Sequence, residues 1–93
     1  MVVMILERVS PSLRGELTRW LIQPKTGVFV GHTSARVREL LWQRVDRSVK
    51  GGAAILIYDS NNEQGFSIRT TGDTRRLIVD FEGLLLPKSP LTR

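Results

Sequence analysis

Glu7, Arg14, Arg36, Arg75 and Arg76 are the residues of this chain whose types and settings bear most directly on phosphate chemistry. The spacing predicts Arg14 near the start of a first helix and Arg36 in the first turn of a second. Arg75 and Arg76 follow a turn at Gly72-Asp73. Helix N-termini attract phosphate through unpaired amides and the helix dipole, and a guanidinium placed there adds to the attraction. Of the 14 Lys and Arg residues, 11 are Arg, against 9 acids, for a net charge of +5. Arg grips a phosphate through a planar fork, whereas Lys offers a point charge. The competing account is ordinary surface charge in an Arg-rich chain, since net charge alone does not define a site. Trp20 and Trp42 both fall in predicted helices, as core or interface residues, and form no base-stacking pair. The pattern therefore favours a duplex backbone over a stacked single strand.

Carboxylates at strand ends are the second option. Glu7 ends an apolar run and Asp59 ends another, and such residues can converge on one edge of a sheet. Magnesium takes oxygen ligands from one or two carboxylates plus water. A symmetric dimer would double Glu7 about its axis. Alternatively, Glu7 only marks where a strand meets solvent, paired with a nearby Arg. The single histidine, His32, sits at a strand-helix turn, where a structural or merely exposed role is the more common one. Asp80 and Glu82 fall in a polar turn. With no cysteine, there is no disulfide framework or thiolate metal site, in keeping with a reducing cytoplasm. Neither a phosphate-cradling glycine loop nor a His-x-x-x-His pair is present.

The elements that must position these residues can be read from periodicity. Val2 to Leu6 is a continuous apolar run, the mark of a buried strand. Ser10-Pro11-Ser12 opens a helix, with Ser10 as cap and Pro11 at the first helical position. Leu13, Leu17, Trp20 and Leu21 form its buried stripe, and Pro24 and Gly27 end it. Val28 to Val30 form a short strand broken by Gly31. Thr33 or Ser34 then caps a second helix with Val37, Leu40, Leu41 and Val45 on its apolar side. Gly51-Gly52 stops that helix. Ala53 to Tyr58 is a second all-apolar strand, Asp59 to Asn62 a turn, and Gly65 to Thr71 a half-exposed hairpin strand. Leu77 to Val79 suggest a further short strand, and Leu84-Leu85-Leu86 an apolar tail.

This order argues an α+β protein: a ferredoxin-like sandwich with helices on one face of a mainly antiparallel sheet. Residues 1–93 make one domain with a C-terminal strand or tail from about residue 77 to 93. In that arrangement Ala53 to Tyr58 lies at a sheet edge. An edge so apolar invites aggregation unless covered, and the candidate covers are the chain's own tail or a second copy of the chain. The N-terminal run VVMILE is too short to span a bilayer and lacks a basic leader and cleavage site, so no membrane association is expected.

Four segments together also carry a family resemblance: SPSLRGELTRWL, GVFVGHTSARVRELLW, NNEQGFSIRTTGDTRR and VDFEGLLL. In order, from about Val2 to Leu86, the chain resembles the type I-E branch of the CRISPR-associated protein two family. The resemblance implies a ferredoxin-like homodimer at the centre of the spacer-acquisition complex in the cytoplasm. There the dimer bridges two dimers of the CRISPR integrase, CRISPR-associated protein one. Double-stranded prespacer DNA lies across it while the integrase performs the chemistry. By position, the resemblance makes Arg14, Arg36, Arg75 and Arg76 DNA-backbone contacts and makes the C-terminal segment the integrase dock. Ser12 stands where some relatives are basic, and His32 where an acid can occur. Many members outside this branch end the first strand in Asp and are described as metal-dependent nucleases. The matching residue here is Glu7, followed by Arg8. Three functions stay open at this point: a non-catalytic DNA-binding scaffold, a magnesium-dependent endonuclease with Glu7 of both subunits as catalytic and metal-binding residue, or a generic ferredoxin-like RNA-binding module.

Overall fold

The computed structural model describes residues 1–48 and 52–73. Its elements are β1 (Val2–Leu6), α1 (Pro11–Leu17), β2 (Ile22–Lys25), β3 (Val28–Gly31), α2 (Ala35–Ser48), β4 (Ala54–Asp59) and β5 (Phe66–Thr71). The strands form a single sheet in the order β2-β3-β1-β4-β5, every neighbouring pair antiparallel. Without β5, this is the β-α-β-β-α-β order of a ferredoxin-like fold, and β5 extends it by a hairpin.

The register divides the sheet residues between two faces. Val2, Met4 and Leu6 of β1, Phe29 of β3, and Ala54 and Leu56 of β4 are buried together with Leu13, Leu17, Leu21, Leu41, Trp42 and Val45 of the helical layer. Burying a side chain such as Met4 or Phe29 is worth about 1.5–3 kcal/mol, so this layer contact is the main stabilising feature. Ser10 caps α1 as its pattern suggests: its Oγ accepts from the Leu13 N–H at 3.1 Å, and Pro11 follows at the first position. At α2 the cap is Ser34, whose Oγ accepts from the Val37 N–H at 3.2 Å. The Thr33 hydroxyl is shielded and has no partner among the described residues.

The structure corrects four expectations. First, α1 stops at Leu17, not at Pro24. The Thr18 hydroxyl turns back to the carbonyls of Arg14 (2.8 Å) and Gly15 (3.3 Å), and the chain leaves the helix through turns. Leu21 is still buried, but Trp20 is 51% exposed. Secondly, Ile22–Lys25 is a strand. It tolerates Pro24 because it is an edge strand, where a missing backbone donor breaks no inner ladder. Thirdly, Leu40 is 55% exposed and Trp42 takes its place in the core of α2. Fourthly, β4 is not an edge: it is hydrogen-bonded to β1 on one side and β5 on the other. Gly31, expected to break the third strand, is its last residue and pairs with Val2. The stop at Gly51, the strand at Leu77–Val79 and the tail at Leu84–Leu86 lie outside the described residues.

One glycine fixes where β1 ends. Gly27 turns β2 into β3 at φ 80°, and its carbonyl accepts from the Leu6 N–H at 2.8 Å. A Cβ there would lie 2.6 Å from the Leu6 carbonyl oxygen. The backbone approach that positions Glu7 therefore depends on glycine at this turn.

Candidate nucleic-acid interface

The helical layer carries the exposed arginines. Arg36 is the second residue of α2, just past the Ser34 cap, and is exposed. Arg14 is exposed on α1, but because that helix is short it falls in the last turn rather than near the start. Neither guanidinium has an ion-pair partner among the described residues. Arg75 and Arg76 lie outside the described residues.

Other arginines are occupied. Arg38 lies flat over the Tyr58 ring, 3.9 Å from its centroid, and its Nε donates to Glu39 at 3.0 Å. Arg69 of β5 donates to both Glu39 oxygens, and Arg44 reaches Glu16 at 2.9 Å. The hydrogen bond from Arg69 is the main reason the Glu39 carboxyl is held below its ordinary range. Desolvation opposes it, and Arg38 adds to it. A hydrogen bond from the Thr71 hydroxyl to Asp46 at 2.5 Å makes a second tie between β5 and α2. The sequence pattern alone did not reveal this polar seam. The alternation in β5 is visible in the sequence, but it runs opposite to the usual sense: Ser67, Arg69 and Thr71 face α2, and Phe66 and Ile68 face away.

Glu7 and Asp59 do not converge. Leu6 pairs with Ala54 and Val2 with Tyr58, so the two acids sit at opposite ends of antiparallel strands. The six residues of β4 run between those ends, roughly 20 Å at about 3.4 Å per residue. Glu7 is half-buried, its N–H donating to the Ala53 carbonyl at 2.8 Å, and the Arg8 stem next to it runs along Gly52. Asp59 is engaged elsewhere: the Met1 ammonium is the chief cause of its lowered pKa, with a small contribution from the exposed His32. Among the described residues no group of three or more His, Cys, Asp or Glu side chains is gathered for a metal ion. Among the described residues Glu7 is thus a strand-end carboxylate outside any cluster of three possible ligands.

The sheet face turned away from the helices was not foreseen from the sequence either. Ile22, Val30, Val3, Ile57 and Ile68 form one cross-strand row over all five strands. Val28, Ile5 and Ile55 form a second row. Ile22 is 70% exposed, Ile68 49% and Phe66 43%. The signal was available: a strand apolar at every position, as in Val2–Leu6, needs cover on both faces.

Residues 1–86 match the family model described as CRISPR-associated protein (Cas_Cas2CT1978). The match takes in every described element, from β1 through β5. This ferredoxin-like chain, with its arginine-bearing helical layer, therefore belongs to the Cas_Cas2CT1978 family of CRISPR-associated proteins.

Proposed function

We propose that this CRISPR-associated chain acts as a non-catalytic scaffold of the spacer-acquisition complex, of the type I-E kind. In this reading it binds double-stranded prespacer DNA in the cytoplasm and bridges integrase dimers. The observation that carries it is the pair Arg14 and Arg36, exposed on the helical layer with no carboxylate partner among the described residues. A guanidinium without an internal counter-ion is available to a phosphate, and each phosphate neutralised releases counter-ions. Arg75 and Arg76 extend the same surface in this proposal, and the segment from about residue 77 to 93 docks on the integrase.

The working unit is a homodimer. Ala53 and Ile55 near the middle of the apolar sheet face are already buried, but Ile22, Phe66 and Ile68 on its outer strands are exposed, and these support a second copy as their cover, in place of the edge pairing read from the sequence. An antiparallel sheet leaves one face to water only when that face is polar, and this face is not.

Duplex binding titrated against salt tests the DNA contacts. The logarithmic salt slope falls by roughly 0.9 for each phosphate that the protein no longer neutralises. Arg14→Ala with Arg36→Ala, and separately Arg75→Ala with Arg76→Ala, should each flatten the slope by about 1.8 and leave sequence preference unchanged. An unchanged slope in folded variants would assign those arginines another role. The rival reading is a magnesium-dependent endonuclease at Glu7, which predicts cleavage by the chain itself.

A further inference from the structure

A groove of about 280 Å³ runs between the end of α1 and the outer side of α2. Its walls include Trp20, Leu40 and Leu41 together with Arg19, Arg44 and Arg47. Trp20 and Leu40 are each about half exposed, though nothing in the fold requires large apolar groups there. The groove lies on the helical side, opposite the apolar sheet face, so a dimer formed through the sheet leaves it open.

We propose that this groove is a docking site for an acidic peptide segment of a partner protein, anchored by one or two apolar side chains. Charge complementarity selects the occupant. Three arginines line the groove against one acid, Glu16, which Arg44 already holds at 2.9 Å. Among the described residues Arg47 donates only to the Gln43 carbonyl of its own helix, at 3.4 Å, and so remains available to a carboxylate. The apolar component argues against a duplex, whose backbone would leave Leu40 and Trp20 in contact with charge. Drug-sized ligand pockets run from about 300 to 1,000 Å³, so a groove just below that range takes anchor side chains from a chain that continues beyond it. Amphipathic segments bind such grooves through spaced apolar anchors.

The test is a selection of random 12-residue peptides on the intact protein, with Leu40→Asp as counter-target. Leu40 is exposed, so this variant keeps the core; Arg44→Glu with Arg47→Glu is a second, independent variant. Recovered peptides are expected to combine Asp or Glu with Trp, Phe or Leu. As synthetic peptides they should shift the backbone amides of Trp20 and of the Leu40 to Arg47 turns, and lose at least tenfold in affinity to either variant. Duplex binding by Leu40→Asp should be unchanged, which separates this site from the DNA surface. The proposal is overturned if no recovered peptide distinguishes wild type from Leu40→Asp. It is equally overturned if a single-stranded oligonucleotide moves the same amides and its binding disappears in the same variants. The chain's own acidic, apolar run around Phe81 is the remaining occupant. A tenfold gain in peptide affinity on Phe81→Ser in the full chain would assign the groove to it instead of to a partner.

Discussion

One terminal nitrogen of Arg69 on β5 lies 2.7 Å from each carboxylate oxygen of Glu39 on α2, so a forked contact ties the outermost strand to the helical layer beside the Thr71–Asp46 hydrogen bond. Glu39 also receives the Arg38 Nε at 3.0 Å, and Arg38 in turn covers Tyr58 on β4. The seam explains why β5 turns its polar residues inward. Its alternate residues, Phe66 and Ile68, are thereby placed on the open face beside Ile57.

The seam makes stability depend on pH in a defined direction. The folded Glu39 carboxyl titrates below its ordinary value of 4.5, chiefly through the Arg69 hydrogen bond. A lowered folded pKa means that the contribution is complete above the ordinary value and is lost as pH falls through the folded one. Both side chains are more than a third exposed, 38% and 41%, so solvent screening limits the effect to about 0.5–1 kcal/mol. Glu39→Gln should lower the urea midpoint at pH 7, and its gap to wild type should shrink as pH is taken below 4.5. A gap that stays constant over that range would show that the ion pair contributes nothing.

Two glycines with similar backbone angles should respond differently to alanine. Gly27 and Gly65 have φ 80° and 84°, but a Cβ at Gly27 meets the Leu6 carbonyl oxygen whereas one at Gly65 meets nothing within 4 Å. The left-handed conformation alone costs roughly 1–2 kcal/mol for a residue with a Cβ. Gly65→Ala should lose about that much in chemical denaturation. Gly27→Ala should lose clearly more, because β1 and the β2–β3 turn must separate. Equal losses would mean that the turn absorbs the clash.

Much of this architecture was legible in local chemistry. The apolar run Val2–Leu6 and the Ser10-Pro11 start describe one strand and one cap correctly because both are decided within a few residues. What was not legible depended on neighbours distant in sequence. Ile22–Lys25 carries Pro24 and reads as the end of the first helix; only its place outside β3 makes it a strand. Leu40 and Trp42 both suit an apolar helix side, and the packing of α2 on the sheet and α1 decides between them. The arginines behave alike: Arg36 and Arg38 stand two residues apart at the start of α2, and only the Tyr58 ring and Glu39 show that Arg38 is occupied.

Covering the exposed outer part of the apolar sheet face with a second copy makes its residues decisive for assembly. Ile68 is 49% exposed, at the end of a row that runs through Ile57, Val3 and Val30. A glutamate there is tolerated in a monomer but would be buried without a partner in a face-to-face dimer, at a cost of several kcal/mol per ion. Ile68→Glu should keep wild-type circular dichroism and elute as a monomer by light scattering at micromolar concentration, where wild type elutes as a dimer. A dimeric Ile68→Glu would move the interface elsewhere, and a monomeric wild type would remove the homodimer altogether.

Glu7 is the residue on which scaffold and nuclease part. Phosphodiester hydrolysis needs an activated water and a stabilised leaving oxygen, most often through bound metal. Glu7 stands at the end of β1 opposite to the strand end that carries Asp59, so that acid is roughly 20 Å away along the strands and cannot share a cation with it. Arg8, the next residue along the chain, adds a positive charge to this strand end that competes electrostatically with a cation. Two Glu7 side chains across a dimer axis could hold one magnesium ion, but they leave a two-metal site short of ligands. We therefore predict that Glu7→Gln retains spacer integration within about twofold of wild type in a reconstituted complex. The chain alone should show little magnesium-dependent cleavage of duplex DNA or single-stranded RNA. The deciding assay runs wild type and Glu7→Gln side by side, with and without chelator. Robust wild-type cleavage that vanishes both in the variant and on chelation would overturn the scaffold and establish Glu7 as a catalytic residue.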